Sequence, residues 1–410
     1  MKVLVIGGGI GGLTLALALQ RVGIGVKVFE AAEEIKPVGV GLNLLPHSTK
    51  ILASFGLLST LEKAAVTTKE AVFFNRFGQR IFAEPLGRFA GYDEPQVSIH
   101  RGDLQMTLLD ALKHEVGEES IVTGARCVNF GQDADCVTAY FADSRSRRQF
   151  AERGDVLISA EGIHSEVRKR FFPSEGPPRY SGVNMWRGVT KWSPILTGAS
   201  MIRAGWLANG KMVIYPIRND IDGEGRQLIN WVAEIETPVY AERDWNRKAR
   251  IEDFIDAFED WKFDWLDVPA LIRAADSVLE FPMVDQDPLP WWTEGRVTLM
   301  GDAAHPMYPR GSNGAGQAIL DAASLAWHLS AEANAFAALK AYEAERLPKT
   351  TAVVLANRLN PPDAINREIW KRTGDRPFAR VEDVISHNEL VALSDSYKKV
   401  AGYDRSSLAT

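Results

Sequence analysis

Two short segments carry residues whose type and spacing suit chemistry. The first is Gly7-x-Gly9-x-x-Gly12, with Gly11 inside it and Glu30 further on. The second is Gly301-Asp302-Ala303-Ala304-His305-Pro306-Met307-Tyr308-Pro309, which runs into Asn313-Gly314-Ala315. A glycine triplet at the first spacing cradles a pyrophosphate. Gly7 permits a tight turn, Gly9 has no Cβ to keep a phosphate off the backbone, and Gly12 lets a helix pack closely on a strand. The helix N-terminus adds unpaired N–H groups and partial positive charge. Glu30 suits the two hydroxyls of a ribose. In the second segment Asp302 suits a sugar-like hydroxyl chain. The N–H groups of Asn313, Gly314 and Ala315 suit an electron-rich carbonyl. Pro309 stiffens the loop, and its missing N–H suits contact with a flat ring.

Elements that would position these groups are readable around them. Lys2-Val3-Leu4-Val5-Ile6 reads as a buried parallel strand, Leu13 to Arg21 as a helix and Val26 to Phe29 as a second strand. Together they predict a dinucleotide-binding βαβ unit. Residues 36–47 form a glycine-containing loop leading into a helix near 46–57. Ser98 to Val116 reads as an amphipathic helix through Leu104, Leu108, Leu109 and Leu112, with Asp103 suiting the dipole near its start. Asp155 to Ser159 and Arg296 to Met300 repeat the buried-strand pattern. Between about 180 and 285 the texture turns antiparallel, in stretches such as 184–189, 211–215 and 228–232. Asp253 to Trp265 predicts a helix within that region. Gln317 to Ala333 and Ala335 to Asn357 read as helices, and the tail beyond Pro361 is mixed.

The chain has 410 residues, 46% hydrophobic and 24% charged, enough for two or three domains with a large core. Its net charge, 47 − 53 = −6, argues against general nucleic-acid binding and against a polybasic membrane anchor. The opening MKVLVIGGGIGGLTLALALQ imitates a signal peptide, but its glycines interrupt the apolar run, and no other stretch is long enough to span a bilayer. Cys127 and Cys136 lack metal or CxxC spacing, which predicts free thiols and a cytoplasmic location. His47, His100, His114, His328 and His387 are not at metal-ligand spacing, so no metal is expected. His164 and His305 belong to loop motifs and are read as structural.

The three motifs, taken in order, resemble the class A flavoprotein monooxygenases, the aromatic hydroxylases with the para-hydroxybenzoate-hydroxylase fold. They are Gly7-x-Gly9-x-x-Gly12 with Glu30, Asp155-Val156-Leu157-Ile158-Ser159-Ala160-Glu161-Gly162-Ile163-His164-Ser165-x-Val167-Arg168, and Gly301 to Pro306. Within that family the phenazine hydroxylases are most similar, through Ser98 to Gly102, Met185 to Val189, Asp244 to Arg247 and Met307 to Pro309. Salicylate- and hydroxybenzoate-type hydroxylases come next. The resemblance implies an α/β fold: a Rossmann-like FAD-binding domain with an inserted α+β substrate domain on an antiparallel sheet. The expected division is 1–71, 98–178 and 285–360 for FAD, 72–97 and 179–284 for substrate, and 361–410 as a helical tail.

The same resemblance implies one bound FAD, with NADH or NADPH as transient co-substrate and O2 as oxidant, reacting through a flavin C4a-hydroperoxide. It places Glu30 on the adenosine ribose, Arg101 and Gln105 beside the FAD chain, and Asp302 at the ribityl and pyrophosphate region. Gly314 and Ala315 fall at the pyrimidine edge, Val40, Gly41 and Leu42 along the ring, and Val128 by the adenine. Glu161 stands where the family usually has Asp, and Ser312, Asn313 and Gly316 stand where it often has Gly, Gln and Asn. Candidate substrate-lining residues are Trp186, Arg187, Tyr215, Trp231, Tyr308 and Pro309, with Trp186 and Arg187 sent to opposite faces by strand alternation. The expected partner is a small aromatic or N-heteroaromatic molecule, compatible with a carboxylate and with its loss on hydroxylation. The expected assembly is a monomer or homodimer. An FAD dehydrogenase or oxidase shares these cofactor motifs and is the alternative; a halogenase is disfavoured because its Trp-x-Trp-x-Ile-Pro motif is missing.

Overall fold

The computed structural model describes residues 1–146, 148–237, 249–332 and 334–408. The stretch Asp244 to Arg247 lies outside them. The aliphatic opening forms strand β1 (Lys2–Ile6), buried from Val3 onward. Helix α1 (Ile10–Arg21) follows, then β2 (Gly25–Glu30), which pairs with β1 in parallel from Lys2↔Gly25 to Ile6↔Phe29. A short strand, β3 (Gly41–Leu44), comes next, followed later by helix α2 (Arg101–Val116). On its other side β1 pairs with β4 (Val156–Ser159).

The second sheet has seven strands. Four of them are β5 (Arg179–Trp192), β6 (Ser200–Gly205), β7 (Lys211–Arg218) and β8 (Gln227–Glu236). Its order is 278–285, β5, β8, β7, β6, 70–74, 80–85. The first sheet is completed by β9 (Val297–Leu299), giving the order 293–294, β9, β4, β1, β2, 121–123. Pairing is parallel except at the 293–294 edge. Helix α3 (Gly314–Ala331) packs with α1 beneath this sheet, and α4 (Ala335–Leu359) packs on α3. Parallel strands this buried need both faces covered: α1 and α3 take one, and an antiparallel sheet of residues 125–132, 137–143 and 149–154 takes the other, with Phe141 stacked on Phe29 at 4.2 Å.

Strand alternation divides the second sheet into two faces. Trp186, Ile202, Ile214 and Trp231 point to one side and join Phe254, Phe258 and Trp261 in a separate core. Trp231 is fully buried above Gly188, where a Cβ would sit 2.2 Å from the indole. Arg187, Arg203, Tyr215 and Asn230 point the other way; Arg187, Tyr215 and Asn230 meet β3, and Arg203 meets Asp363 and the Arg310 carbonyl. On β3 the Gly41 N–H donates to Asn230 Oδ1 at 2.7 Å.

Two local expectations are corrected. Residues 253–265 do not form a helix: two short 3-10 turns, Ile251–Asp253 and Ile255–Phe258, precede a two-stranded turn at 262–267. Their helical spacing of aromatics is met by wedging instead. Phe254 stacks on Trp186 at 4.9 Å, and Trp261 sits where a Cβ on Gly205 would collide. Residues 97–100 are a strand paired with β3, so the predicted helix begins at Arg101.

The tail is ordered by charge. Asp363 is buried with Arg203 and Lys211: its carboxylate meets Arg203 Nη1 and Lys211 Nζ at 2.5 Å each. Lys211 Nζ also bonds both oxygens of buried Glu234 at 3.0 Å. The two cations pull the Asp363 pKa down to about 2 despite its burial. Helix α5 (His387–Ala401) then starts with a Ser386–Glu389 capping box. Replacing Asp363 by Asn leaves two buried cations short of a counter-charge. D363N should lose about 3–5 kcal/mol of stability, read as a shift in denaturant unfolding midpoint; an unchanged midpoint would show the cluster to be dispensable.

Candidate active site

The carboxyl ends of β1, β4 and β9 converge. Gly7 N–H donates to Phe29 O at 2.7 Å, Ala160 N–H to Ile6 O at 2.7 Å and Met300 N–H to Ser159 O at 2.9 Å. Gly7 holds φ +111°, and a Cβ on Gly12 would lie 2.0 Å from the Gly7 carbonyl oxygen. The turn is therefore closed to any larger residue at either point. Gly9 differs: nothing lies within 4 Å of the place a Cβ would take. The turn opens to a ligand there, at the α1 N-terminus, which has no side-chain cap and no acid in its first turn.

Glu30 closes one side of this opening. Its Oε2 accepts from Gly8 N–H at 2.8 Å and its Oε1 from Ala32 N–H at 2.7 Å. Gln105 Nε2 donates to Gly8 O at 2.8 Å, so α2 also grips the turn. Arg101, exposed at the start of α2, packs its methylenes beside Gly39, and its N–H donates to Val40 O at 3.0 Å. Val128 is 44% exposed on the strand 125–132.

The Gly301 loop is held from behind by a network absent from the sequence reading. Fully buried Asp321 accepts from Gly301 N–H at 2.9 Å and His305 Nε2 at 2.6 Å through one oxygen, and from Arg346 Nε at 2.7 Å through the other. Those two partners outweigh burial and hold its pKa near about 2. Arg346 also donates to Gln317 Oε1 at 2.7 Å, tying in the first turn of α3. Asp302 is left exposed, and a Cβ on Gly314 would lie 3.9 Å from its Oδ1. Ala315 follows Gly314 in the same first turn.

The middle motif braces these loops. Glu161 Oε2 accepts from Ser159 Oγ at 2.8 Å and Ser165 Oγ at 2.9 Å. Burial pushes its pKa up, and the two hydroxyls oppose that. Arg168 donates to the carbonyls of Ala303 and Ala304 at 2.9 Å each, with Glu175 as its counter-ion. The Glu161 carboxylate is thus directed at serines and the following helix.

Across the cleft, the face of the second sheet decides which candidates remain. Arg187 Nη2 donates to Gly41 O at 2.9 Å, and its Nε has no hydrogen-bond partner. Burial lowers the Arg187 pKa and raises that of Tyr215, while a hydrogen bond between the two opposes both shifts. Tyr215 also meets Asn43, which accepts from Ser98 Oγ at 2.5 Å. Trp186 and Trp231 leave the lining: they sit on the opposite face, and Trp231 Nε1 is spent on Thr190 Oγ1 at 3.0 Å. Tyr308 is buried in the same apolar cluster as Tyr215. Pro309 starts a 3-10 turn that ends at Ser312, a non-glycine residue with φ +52°. Val40 and Leu42 lie along β3 and its approach.

His47 is a second residue missed by sequence reasoning. Ser48 N–H donates to its Nδ1 at 2.9 Å, which leaves the proton on Nε2, facing Asn313 Oδ1 at 3.1 Å. Burial lowers its pKa to about 4. Asn313 Nδ2 is then buried without a partner at the start of α3. A three-residue group of metal-ligating side chains is absent among the described residues, as is any helix long and apolar enough to cross a membrane. Two surface clefts, about 520 Å³ beside Lys69 and Gln227 and about 290 Å³ beside Val128 and Arg170, lie outside the converging loops.

Comparison with known proteins fits this geometry. The chain matches the FAD binding domain family over residues 1–252 and 274–357. It is 39% identical over 409 residues to a phenazine 1,6-dicarboxylic acid hydroxylase of Lysobacter antibioticus, covering 98% of this chain and 97% of the relative. It is 30% identical over 377 residues to 3-hydroxybenzoate 6-hydroxylase 1 of Aquipseudomonas alcaligenes, covering 87% and 88%. The solved structure of Klebsiella pneumoniae HpxO, complexed with FAD and uric acid, superposes with TM-score 0.75 at 26% identity, covering 98% and 92%. The chain belongs to the FAD binding domain family, and within it to the FAD-dependent aromatic monooxygenases rather than to flavin dehydrogenases.

The residues present fit that cofactor. The opening at Gly9, the uncapped α1 N-terminus, the exposed Asp302 and the unpartnered Asn313 amide all lie on the converging loops and would face it there. Gly9→Val fills the opening, so the purified variant should be colourless where the parent is yellow; retained flavin colour would overturn this placement. His47 makes a separate prediction. Between pH 6.5 and about 4 the unfolded chain takes up a proton that the folded chain refuses, so stability falls as pH falls. The slope from this one group is about 1.4 kcal/mol per pH unit. His47→Gln should flatten that part of the stability–pH curve relative to the parent; parallel curves would contradict the assignment.

Proposed function

We propose that this monooxygenase hydroxylates an aromatic or N-heteroaromatic carboxylate, with the acid group held by Arg187 beside Tyr215. The observation that carries the reading is the state of Arg187. Its guanidinium is largely enclosed, its Nε lacks a partner, and no carboxylate pairs with it among the described residues. Glu234, an acid whose charge acts on it from the same face, is already bonded to Lys211 through both oxygens. An enclosed cation without a counter-charge is costly, and a ligand carboxylate removes that cost.

Bound FAD, reduced by NADH or NADPH, supplies the activation of dioxygen. The chain's own groups supply position. Arg187 fixes the acid end of the substrate, and the Tyr215 hydroxyl offers a hydrogen bond next to it. Asn230 holds β3 at its distance from the sheet. Tyr308 and its apolar neighbours keep water from the reacting ring. Glu30, Gln105, Asp302, Gly314 and Ala315 are the proposed cofactor contacts, with Arg101, Val40 to Leu42, Val128, Glu161 and Pro309 around them.

The division into 1–71, 98–178 and 285–360 for FAD and 72–97 and 179–284 for substrate is supported by the parallel first sheet and the antiparallel second one. We place the protein in the cytoplasm, where NAD(P)H is supplied, as a monomer or homodimer. Arg187→Met should weaken aromatic acids by about 10–150-fold, the range for a charge-assisted hydrogen bond. It should leave the matching primary amides nearly unaffected. Equal loss for acid and amide, or no loss for either, would refute the carboxylate assignment.

A further inference from the structure

The family match ends at residue 357, yet the chain continues into a segment that is tightly anchored. Asp363 is clamped by Arg203 and Lys211. Asn366 Nδ2 donates to Phe74 O at 2.8 Å, and Lys398 pairs with Glu84 at 2.7 Å. Gln317, on the first turn of α3, donates from Nε2 to Ala401 O at 3.2 Å. The tail is therefore fastened both to the substrate sheet and to the helix whose N-terminus faces the cofactor loops.

Two tyrosines are delivered by this fastening. Tyr397 is buried and spent: its hydroxyl donates to Asn357 Oδ1 at 2.7 Å, and Asn357 Nδ2 in turn donates to Tyr308 O at 3.1 Å. Gly402, at φ +74°, ends α5 and turns the chain so that Tyr403 follows. The Tyr403 ring lies 5.6 Å from the His47 ring and 6.4 Å from that of Tyr397. Its surroundings are enclosed enough to push the phenol pKa well up, with Arg203 opposing. Among the described residues no group hydrogen-bonds its hydroxyl, and part of the side chain remains uncovered.

Its neighbours locate it. His47 bonds Asn313 at the start of α3. Arg203 lies on the same sheet face as Tyr215, since Arg203 pairs with Val213, two residues before Tyr215 on β7. Arg203 also donates to Arg310 O at 3.3 Å, in the turn after Pro309. A phenol with no hydrogen bond to its hydroxyl among the described residues thus stands beside His47, which bonds Asn313 at the start of α3, and close enough to Arg203 to feel its charge. We propose that Tyr403 is a substrate-contacting, specificity-determining residue, whose hydroxyl bonds a polar ring substituent or ring nitrogen remote from the substrate's carboxylate. This rests on the aromatic-carboxylate reading above and extends it to the other end of the ligand.

The test uses the full-length, FAD-loaded protein, its Tyr403→Phe variant and Arg187→Met. Matched pairs of aromatic acids, with and without a ring hydroxyl or ring nitrogen, are titrated against the flavin absorbance spectrum, which reports binding without turnover. Tyr403→Phe removes one oxygen and keeps the ring. It should weaken the substituted member of a pair by about tenfold, the worth of one neutral hydrogen bond, and leave the unsubstituted member unchanged. Equal weakening of both members marks a merely structural ring and overturns the proposal, as does no change in either. Arg187→Met should weaken both members. Should it weaken neither while the Tyr403→Phe difference persists, the carboxylate reading fails and the tyrosine contact stands.

Discussion

The site depends on one backbone contact. The Gly7 carbonyl approaches α1 so closely that any side chain at Gly12 would overlap it, and Gly7 itself turns through a conformation costly for other residues. This contact sets the α1 N-terminus directly beyond β1. The groups proposed to hold a dinucleotide there follow from it: free N–H groups, an open edge at Gly9, and Glu30 held across from them by the N–H groups of Gly8 and Ala32. The loops after β4 and β9 are then brought to the same edge and locked by charge. Asp321 pins the Gly301 loop to α3 and α4, and Arg168 ties it to the middle motif.

Buried charge organises the substrate side differently. Arg203, Lys211, Glu234 and Asp363 neutralise one another, two cations against two anions. Arg187 stands outside that balance. On the proposed reading, a ligand carboxylate supplies the negative charge that Arg187 lacks among the described residues. The pairing of Asp363 with Arg203 and Lys211 also fastens the tail to the second sheet.

What was legible in the sequence was local. The glycine spacing, the strands flanking it and Glu30 all fall within thirty residues, and the Gly301 loop carries its own helix start. The roles of Asp321, Arg346 and Tyr403 depend on contacts between distant parts of the chain, and no spacing announces them. Trp186 and Trp231 were misplaced for a related reason. Alternation says that Trp186 and Arg187 face opposite ways, but only the position of β3 decides which face meets the cofactor. The predicted helix at 253–265 failed because aromatic residues at helical spacing were wedged against Trp186 and Gly205, where tertiary packing overrides periodicity. The mixed tail gave no sign that it anchors at Asp363 and brings Tyr403 beside His47.

The central claim is that flavin held at these converging loops passes one oxygen atom from dioxygen to an aromatic acid. Its most direct test is turnover under isotopically heavy dioxygen, with NAD(P)H and an aromatic carboxylate that accelerates NAD(P)H oxidation. The account predicts a hydroxylated product carrying the heavy isotope from the gas. A product that takes its oxygen from water, or an oxidised product with no added oxygen, would contradict it.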